Sequence, residues 1–377
     1  MDTRTLTKKK LLVFHSALAP YRIDFFNSLA EAFDCKVVFL SRNNRNQHFD
    51  QKALLSDACF KYEYMDYKFV IRDRDINFGY LTQLINFKPN IVFGGEYGLP
   101  IIIPFVYRLL MRKTFSLYTI CDDSITIAEK CSGIRKIIRN FLVPRIDGII
   151  VLSNRVADWY ANHFKMKNPP LVFPLIRDET KYREQLERSL PISRKYINQY
   201  KLEGKRITLF VGRIDKVKNV DLLLLSFDKV ASADDRLVIV GSGPEEESLY
   251  NLKDSLENKN AVLFVGRFEG IDLIAWYNIG HLLVLPSIYE PYGAVVSEAL
   301  TAGCFVLCSV YAGSSTLINE NNGILFRPDD PGELIEGLFK LFLKIDKYKT
   351  ISLVDVKPNL MPFSFRHYAE SLIKKLK

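Results

Sequence analysis

No apolar run in this chain reaches the roughly 18 residues of a membrane-spanning helix. The longest candidate, Leu99–Met111, is broken by two prolines and Arg108. The opening MDTRTLTKKKLLVFHS joins basic residues to only four apolar ones, short of the about 7–15 of a signal peptide. The expectation is a cytoplasmic protein. Six cysteines, Cys35, Cys59, Cys121, Cys131, Cys304 and Cys308, form no C-x-x-C pair and no zinc spacing, so they are expected as reduced, buried small apolar residues. There is no D-x-D placed to hold a metal. Nor is there a helix-turn-helix pattern, zinc finger or aromatic RNA-binding motif, which argues against nucleic acid as partner. The net charge of +9 then points to phosphates on a nucleotide or on lipid head groups.

What is present is a long alternation of strands and helices. At 377 residues the chain fits two domains of about 180 residues each. From Arg206 onward, strands are expected at 207–212, 237–241, 261–266, 282–285 and 304–309, with helices at 220–231, near 244–252 and 270–278, and at 294–302. Near-continuous apolar strands alternating with helices give an α/β class with a parallel sheet covered on both faces. The first half repeats the rhythm with strands at 11–15, 37–40, 91–93, 117–120 and 149–152. A charged stretch, RDETKYREQLER, marks the crossing between domains near 170–190.

The residues with chemical content sit at strand ends. In LLVLPSIYEPYGAVVSEALTAG, Leu282–Gly303, a buried strand feeds a helix through a loop holding Glu290 and Gly293. The free N–H groups of that helix start, at Ala294 and Val295, suit an anionic ligand. Glu298 lies inside the helix, so both glutamates can face one crevice and accept hydrogen bonds from sugar hydroxyls. The plainer alternative is that Glu290 caps the helix and Glu298 is solvated. In Gly212-Arg213-Ile214-Asp215-Lys216-Val217-Lys218-Asn219, Arg213 offers a planar fork and Lys218 a mobile point charge for a diphosphate. Lys216 competes with Lys218 for that role, and a solvated basic loop is the alternative.

E-P-Y-G-A-V-V-S-E-A-L, with Glu290 and Glu298 separated by seven residues, resembles the signature of family 4 retaining glycosyltransferases of the GT-B fold. The Arg213 to Asn219 segment is similar to that family's G-R-x-x-x-x-K-G, with Asn219 in place of the usual glycine; asparagine also tolerates positive φ. Gly241-Ser242-Gly243-Pro244 matches its G-x-G-P, and Gly266-Arg267-Phe268 the place where its members hold the base through main-chain groups. The resemblance implies two Rossmann-like domains with parallel sheets facing a central cleft. Residues 1–175 would form the acceptor domain and 176–360 the nucleotide-sugar domain, with a terminal helix, 361–377, crossing back. It further implies Glu290 on the donor sugar, Glu298 on the ribose, and Gly293, Ala294 and Val295 on the diphosphate and sugar. Gly212, Gly241, Arg267 and Phe268 complete the donor side.

The first half matches only loosely. Where a dinucleotide-binding fold has its glycines, this chain has Ser16-Ala17-Leu18-Ala19-Pro20-Tyr21-Arg22, so a nucleotide is not expected there. By resemblance, Tyr21 and Arg22 fall on the acceptor side and Asp122 near the sugar's reactive carbon; Glu96, in the strand-end loop Gly94-Gly95-Glu96-Tyr97-Gly98, is placed on the acceptor side as well, and His15 could touch the donor sugar or the acceptor. Asp123 rivals Asp122, and an acidic cap on the helix Ile125–Lys130 is the alternative for both. His15 is equally readable as structural. Ile134, Ile137, Ile138, Phe141 and Leu142 make an apolar stripe flanked by Arg135, Lys136, Arg139 and Arg145. Residues 134–145 thus read either as a core-facing helix or as a peripheral contact with an anionic membrane, on the inner face of the cell membrane.

The activity that the resemblance implies is retaining transfer of a hexose-type unit from a nucleoside-diphosphate-sugar to an acceptor hydroxyl on a glycan or lipid-linked saccharide, as in polysaccharide, lipopolysaccharide or capsule building. Glu290, Arg213, Lys218 and Asp122 carry the chemistry, with no cofactor and no metal, because two cations take the metal's place. A nucleotide-sugar epimerase of the same architecture and a catalytically silent sugar-nucleotide-binding subunit are the alternatives.

Overall fold

Strands without polar alternation persist only where both faces of a sheet are covered, and the apolar runs of this chain build two such sheets. A computed structural model describes residues 8–43, 49–65, 68–71, 74–77, 79–346 and 355–377. The chain divides into two units, residues 1–175 with 366–377, and residues 176–365.

In the first unit, seven parallel strands lie in the order Lys61–Tyr64, Asp34–Phe39, Lys10–His15, Ile91–Gly95, Ser116–Cys121, Gly148–Val151 and Leu171–Val172. Lys68–Ile71 and Arg74–Asn77 form a separate antiparallel pair. One face of the large sheet, through Leu12, Phe14, Val38, Val92 and Leu117, packs beneath Tyr80, Leu84, Ile101, Phe105 and Leu142. These come from the helices Gly79–Phe87, Leu99–Leu110 and Gly133–Leu142.

In the second unit, six parallel strands lie in the order Val262–Gly266, Asp235–Val240, Arg206–Val211, Leu282–Leu285, Phe305–Ser309 and Gly323–Phe326. Counted along this unit the order is 3-2-1-4-5-6, that of a dinucleotide-binding sheet. It reverses between Arg206–Val211 and Leu282–Leu285, which pair through Thr208 with Leu282 and Leu209 with Leu283. Ligands of such sheets bind outside the strand carboxyl ends at that switch point.

The helices Val220–Val230 and Pro331–Asp346 bury Leu223, Leu224, Phe227, Leu334, Leu338 and Leu341 in one core; each such side chain contributes about 1.5–3 kcal/mol on leaving water. Glu179–Tyr200, capped by Asp178 on the Thr180 and Lys181 N–H groups, lies against Gly270–Ile279. There Tyr196 stacks on Trp276 at 4.9 Å, and Asn278 Nδ2 donates to the Leu186 carbonyl at 2.8 Å.

Five of the six cysteines are buried; Cys59 is exposed, against expectation, in the turn before Lys61–Tyr64. All six are free thiols. Among the described residues no helix is long and apolar enough to cross a membrane.

Candidate functional site

Three glycine-bearing loops interlock at the carboxyl edge of the second sheet. The Gly212 N–H donates to the Val240 carbonyl at 3.0 Å, Gly241 to Gly266 at 2.9 Å, and Ile214 to Ser242 at 2.9 Å. A Cβ on Gly241 would overlap the Gly212 carbonyl oxygen, and one on Gly243 the Ile214 carbonyl oxygen. Only glycine lets these backbones approach so closely. The loop after Arg206–Val211 is thereby fixed, and with it the two cations it carries.

Arg213 forms an ion pair with Asp215, and Lys218 with Glu290. Asn219 takes φ 54°, the left-handed conformation required of the residue standing in for glycine, and its amide donates to the Pro328 carbonyl at 3.1 Å. A short 3₁₀ turn, Lys216–Lys218, leaves Lys216 exposed and turns Lys218 inward. Of the two rival lysines, Lys218 is the one that reaches a partner across the sheet edge.

Glu290 is held from two sides. The Ile288 N–H donates to the Val217 carbonyl at 2.9 Å, tying the loop of Glu290 to the loop of Lys218. On its other side Glu290 bridges to Ala312, and the Ser314 N–H donates to the Tyr292 carbonyl at 2.8 Å. Gly293, at φ 88°, then caps the helix Ala294–Thr301 without any side-chain cap. The capping alternative for Glu290 therefore fails: its carboxylate is on Lys218. The Ser287 hydroxyl and Asp215 Oδ1, on these same two loops, are buried and have no hydrogen-bond partner among the described residues, the state of groups that await a polar ligand or water.

Glu298 is only partly exposed and has a partner of its own. Tyr277 donates to its Oε2 at 2.9 Å. Burial pushes its carboxyl up, offset in part by Arg177 and by the Tyr277 hydroxyl. Glu290 and Glu298 thus have separate partners, one on the cation loop and one among the tyrosines beneath the helix. Arg267 pairs with Glu269. Phe268 turns its ring to Tyr196 and Trp276, at 5.5 and 5.9 Å, so its side chain packs and only its backbone remains at the strand end.

The first unit gathers charge at the corresponding edge of its own sheet. His15, Glu96 and Asp122 follow three adjacent strands. Arg22 is buried and paired with Asp122, so it holds Asp122 and is not itself free for an acceptor. Tyr21 shares the 3₁₀ turn Pro20–Arg22. Asp123 is buried, accepting from Arg135 at 2.7 Å and from the Tyr160 hydroxyl at 3.2 Å, whereas Asp122 remains partly exposed. Ser124, not either aspartate, caps Ile125–Lys130. His15 Nδ1 lies 3.0 Å from the Ala17 carbonyl. Burial, then the charge of Arg22, lowers its pKa to about 4, so the ring is neutral near pH 7. Glu96 holds a left-handed backbone at φ 45° and contacts Arg135 at 3.2 Å. Burial raises its pKa to about 7, opposed by Arg135 and reinforced by Asp122 and Asp123.

Asp215, Arg135 and Tyr277 have no signature in the sequence. Each enters through an ion pair or hydrogen bond, and only for Arg213 with Asp215 is the partner close in the chain.

Residues 193–352 match the model of the glycosyl transferases group 1 family. An uncharacterised glycosyltransferase of Methanocaldococcus jannaschii is 33% identical over 138 residues, 36% of this chain and 35% of that protein. The alpha-monoglucosyldiacylglycerol synthase of Streptococcus pneumoniae is 26% identical over 214 residues, 55% of this chain and 48% of its own. The matches thus span about a third to a half of these relatives' lengths. Among solved structures, HepE of Anabaena in complex with UDP superposes with a TM-score of 0.75 at 16% identity, covering 97% of this chain and 99% of that one. Residues 193–352 are therefore a glycosyl transferases group 1 domain, in a chain with the GT-B fold.

Proposed function

We propose that the second unit binds a nucleoside-diphosphate-sugar and that the protein transfers the sugar to an acceptor hydroxyl with retention of configuration. The observation that carries this reading is the meeting of Lys218 and Glu290 at the switch point, beside the helix start at Gly293. A cation and a carboxylate adjoining free N–H groups fit a ligand that is anionic at one end and hydroxyl-rich at the other.

As the bond to the diphosphate breaks, negative charge builds on the leaving oxygen. Lys218, Arg213 and the helix start would stabilise it, the two cations taking the part a metal plays elsewhere. Glu290, released from Lys218, would accept hydrogen bonds from the sugar, and Glu298 from the ribose. Gly212, Gly241, Ala294, Val295 and the backbone at Arg267 and Phe268 line the donor side. His15, Tyr21, Glu96 and Asp122, with Arg22 positioning Asp122, belong to the acceptor side. The pneumococcal relative's name supports a lipid acceptor, and HepE's bound UDP supports a uridine donor.

Incubation with a panel of nucleoside-diphosphate-sugars tests the reading. The expected result is nucleoside diphosphate release that depends on added acceptor. Interconversion of donors without acceptor, or no turnover with any donor, overturns it.

A further inference from the structure

The loop after Phe305–Ser309 presses against the loop of Glu290. The Gly313 N–H donates to the Glu290 carbonyl at 3.3 Å, and a Cβ on Gly313 would overlap the Pro291 carbonyl oxygen. The 3₁₀ turn Gly313–Leu317 buries Ser314 completely. Its hydroxyl makes no hydrogen bond to a described residue, and a buried donor left in that state costs stability.

The place of that hydroxyl shows what it can serve. A Cβ built on Gly293 would lie 3.0 Å from Ser314 Oγ and 3.2 Å from Glu290 Cγ. Hydroxyl and carboxylate stem therefore flank one small space, which glycine alone leaves open. The Cys308 thiol senses both groups: burial pushes its pKa up to about 12, the Ser314 hydroxyl opposes that rise, and the Glu290 charge adds to it. The thiol itself donates to the Ser309 carbonyl at 3.4 Å, so the Ser314 hydroxyl can turn to a carboxylate.

Glu290 needs such a neighbour. Its side chain is only 11% exposed, and Lys218 balances its charge. An anionic ligand that takes Lys218 leaves the carboxylate buried without its cation, an unfavourable state unless hydrogen bonds replace the pair. We propose that Ser314 is a positioning residue for Glu290: when a diphosphate engages Lys218, the carboxylate turns from the lysine to the Ser314 hydroxyl, which holds it in place for the sugar. The carboxylate then has two anchors, Lys218 without ligand and Ser314 with it. This inference rests on the reading of the second unit as a nucleotide-sugar site.

The test is a double-mutant cycle on ligand binding. Isothermal titration of the full chain with UDP, GDP, ADP, CDP and TDP selects the nucleoside diphosphate that wild type binds. Ser314→Ala is expected to weaken that binding about tenfold. In a Glu290→Ala background the same change should matter less than about twofold, because the carboxylate it serves is gone. Ser314→Thr, which keeps the hydroxyl, should stay within about threefold of wild type. Circular dichroism identical to wild type shows that the variants fold. Binding unchanged in Ser314→Ala, or weakened equally in both backgrounds, overturns the proposal and leaves the donor reading standing. Wild type that binds none of the five nucleotides overturns the donor reading and this inference with it.

Discussion

Lys218 and Glu290, 72 positions apart in the chain, neutralise each other at the switch point of the second sheet. In the proposed reaction the diphosphate of a donor would have to take Lys218 from a carboxylate that already holds it. Glu290→Gln removes that competitor and is expected to tighten nucleoside diphosphate binding about tenfold, or about 1.4 kcal/mol, while sugar transfer falls. Isothermal titration against wild type reads the first effect, and weaker binding by the variant would refute the competition.

In the proposed reaction, Lys218→Ala would leave the leaving group one cation short. Turnover is expected to drop about 10²-fold or more, the scale for losing one charge-stabilising group, with a smaller change in donor KM. Steady-state kinetics at saturating acceptor decides it, and near-normal turnover would remove Lys218 from the chemistry.

Gly241→Ala tests the interlocked loops. The added methyl group would meet the Gly212 carbonyl oxygen, so the loop bearing Arg213 and Lys218 must shift. A loss of at least about 2 kcal/mol is expected in urea denaturation, together with loss of nucleoside diphosphate binding. A variant as stable as wild type would show that this approach is not tight.

Glu96 gives a pH signature. Folded, it keeps its proton to about pH 7, whereas the ordinary value is 4.5. Between those values the folded state binds more protons, so ionisation of Glu96 lowers stability as pH rises. Glu96→Gln is therefore expected to raise Tm relative to wild type at pH 8 and to have less effect at pH 5. The shift is modest because half of the side chain is exposed and solvent screens it. Thermal denaturation across pH 5–8 with equal slopes for both proteins would contradict it.

Much of the fold was legible because buried parallel strands are continuous apolar runs. Each strand expected in the second half, from the one before Gly212 to the one after Gly303, stands within about two residues of its expected place, as boundaries usually do. The edge strand Lys61–Tyr64 was missed, since KYEY lies mostly exposed and lacks the apolar run that marks a covered strand. The loop glycines and Asn219 were readable because backbone conformation restricts residue type. The pairing of Glu290 with Lys218, the burial of Arg22 against Asp122 and the hold of Arg135 on Asp123 were not. Contacts across many residues leave no periodicity for a reader to find. The exposure of Leu109 and Leu110 was hidden for the opposite reason: an apolar run looks the same whether its side chains face a core or the surface.

Strand order in the second sheet has a consequence for assembly. The lysine and the glutamate enter on the first and fourth strands of that domain, so neither local helix formation nor an isolated βα unit can create their meeting point. Ligand recognition becomes a late event of folding, absent from any fragment that stops before the fourth strand inserts beside the first.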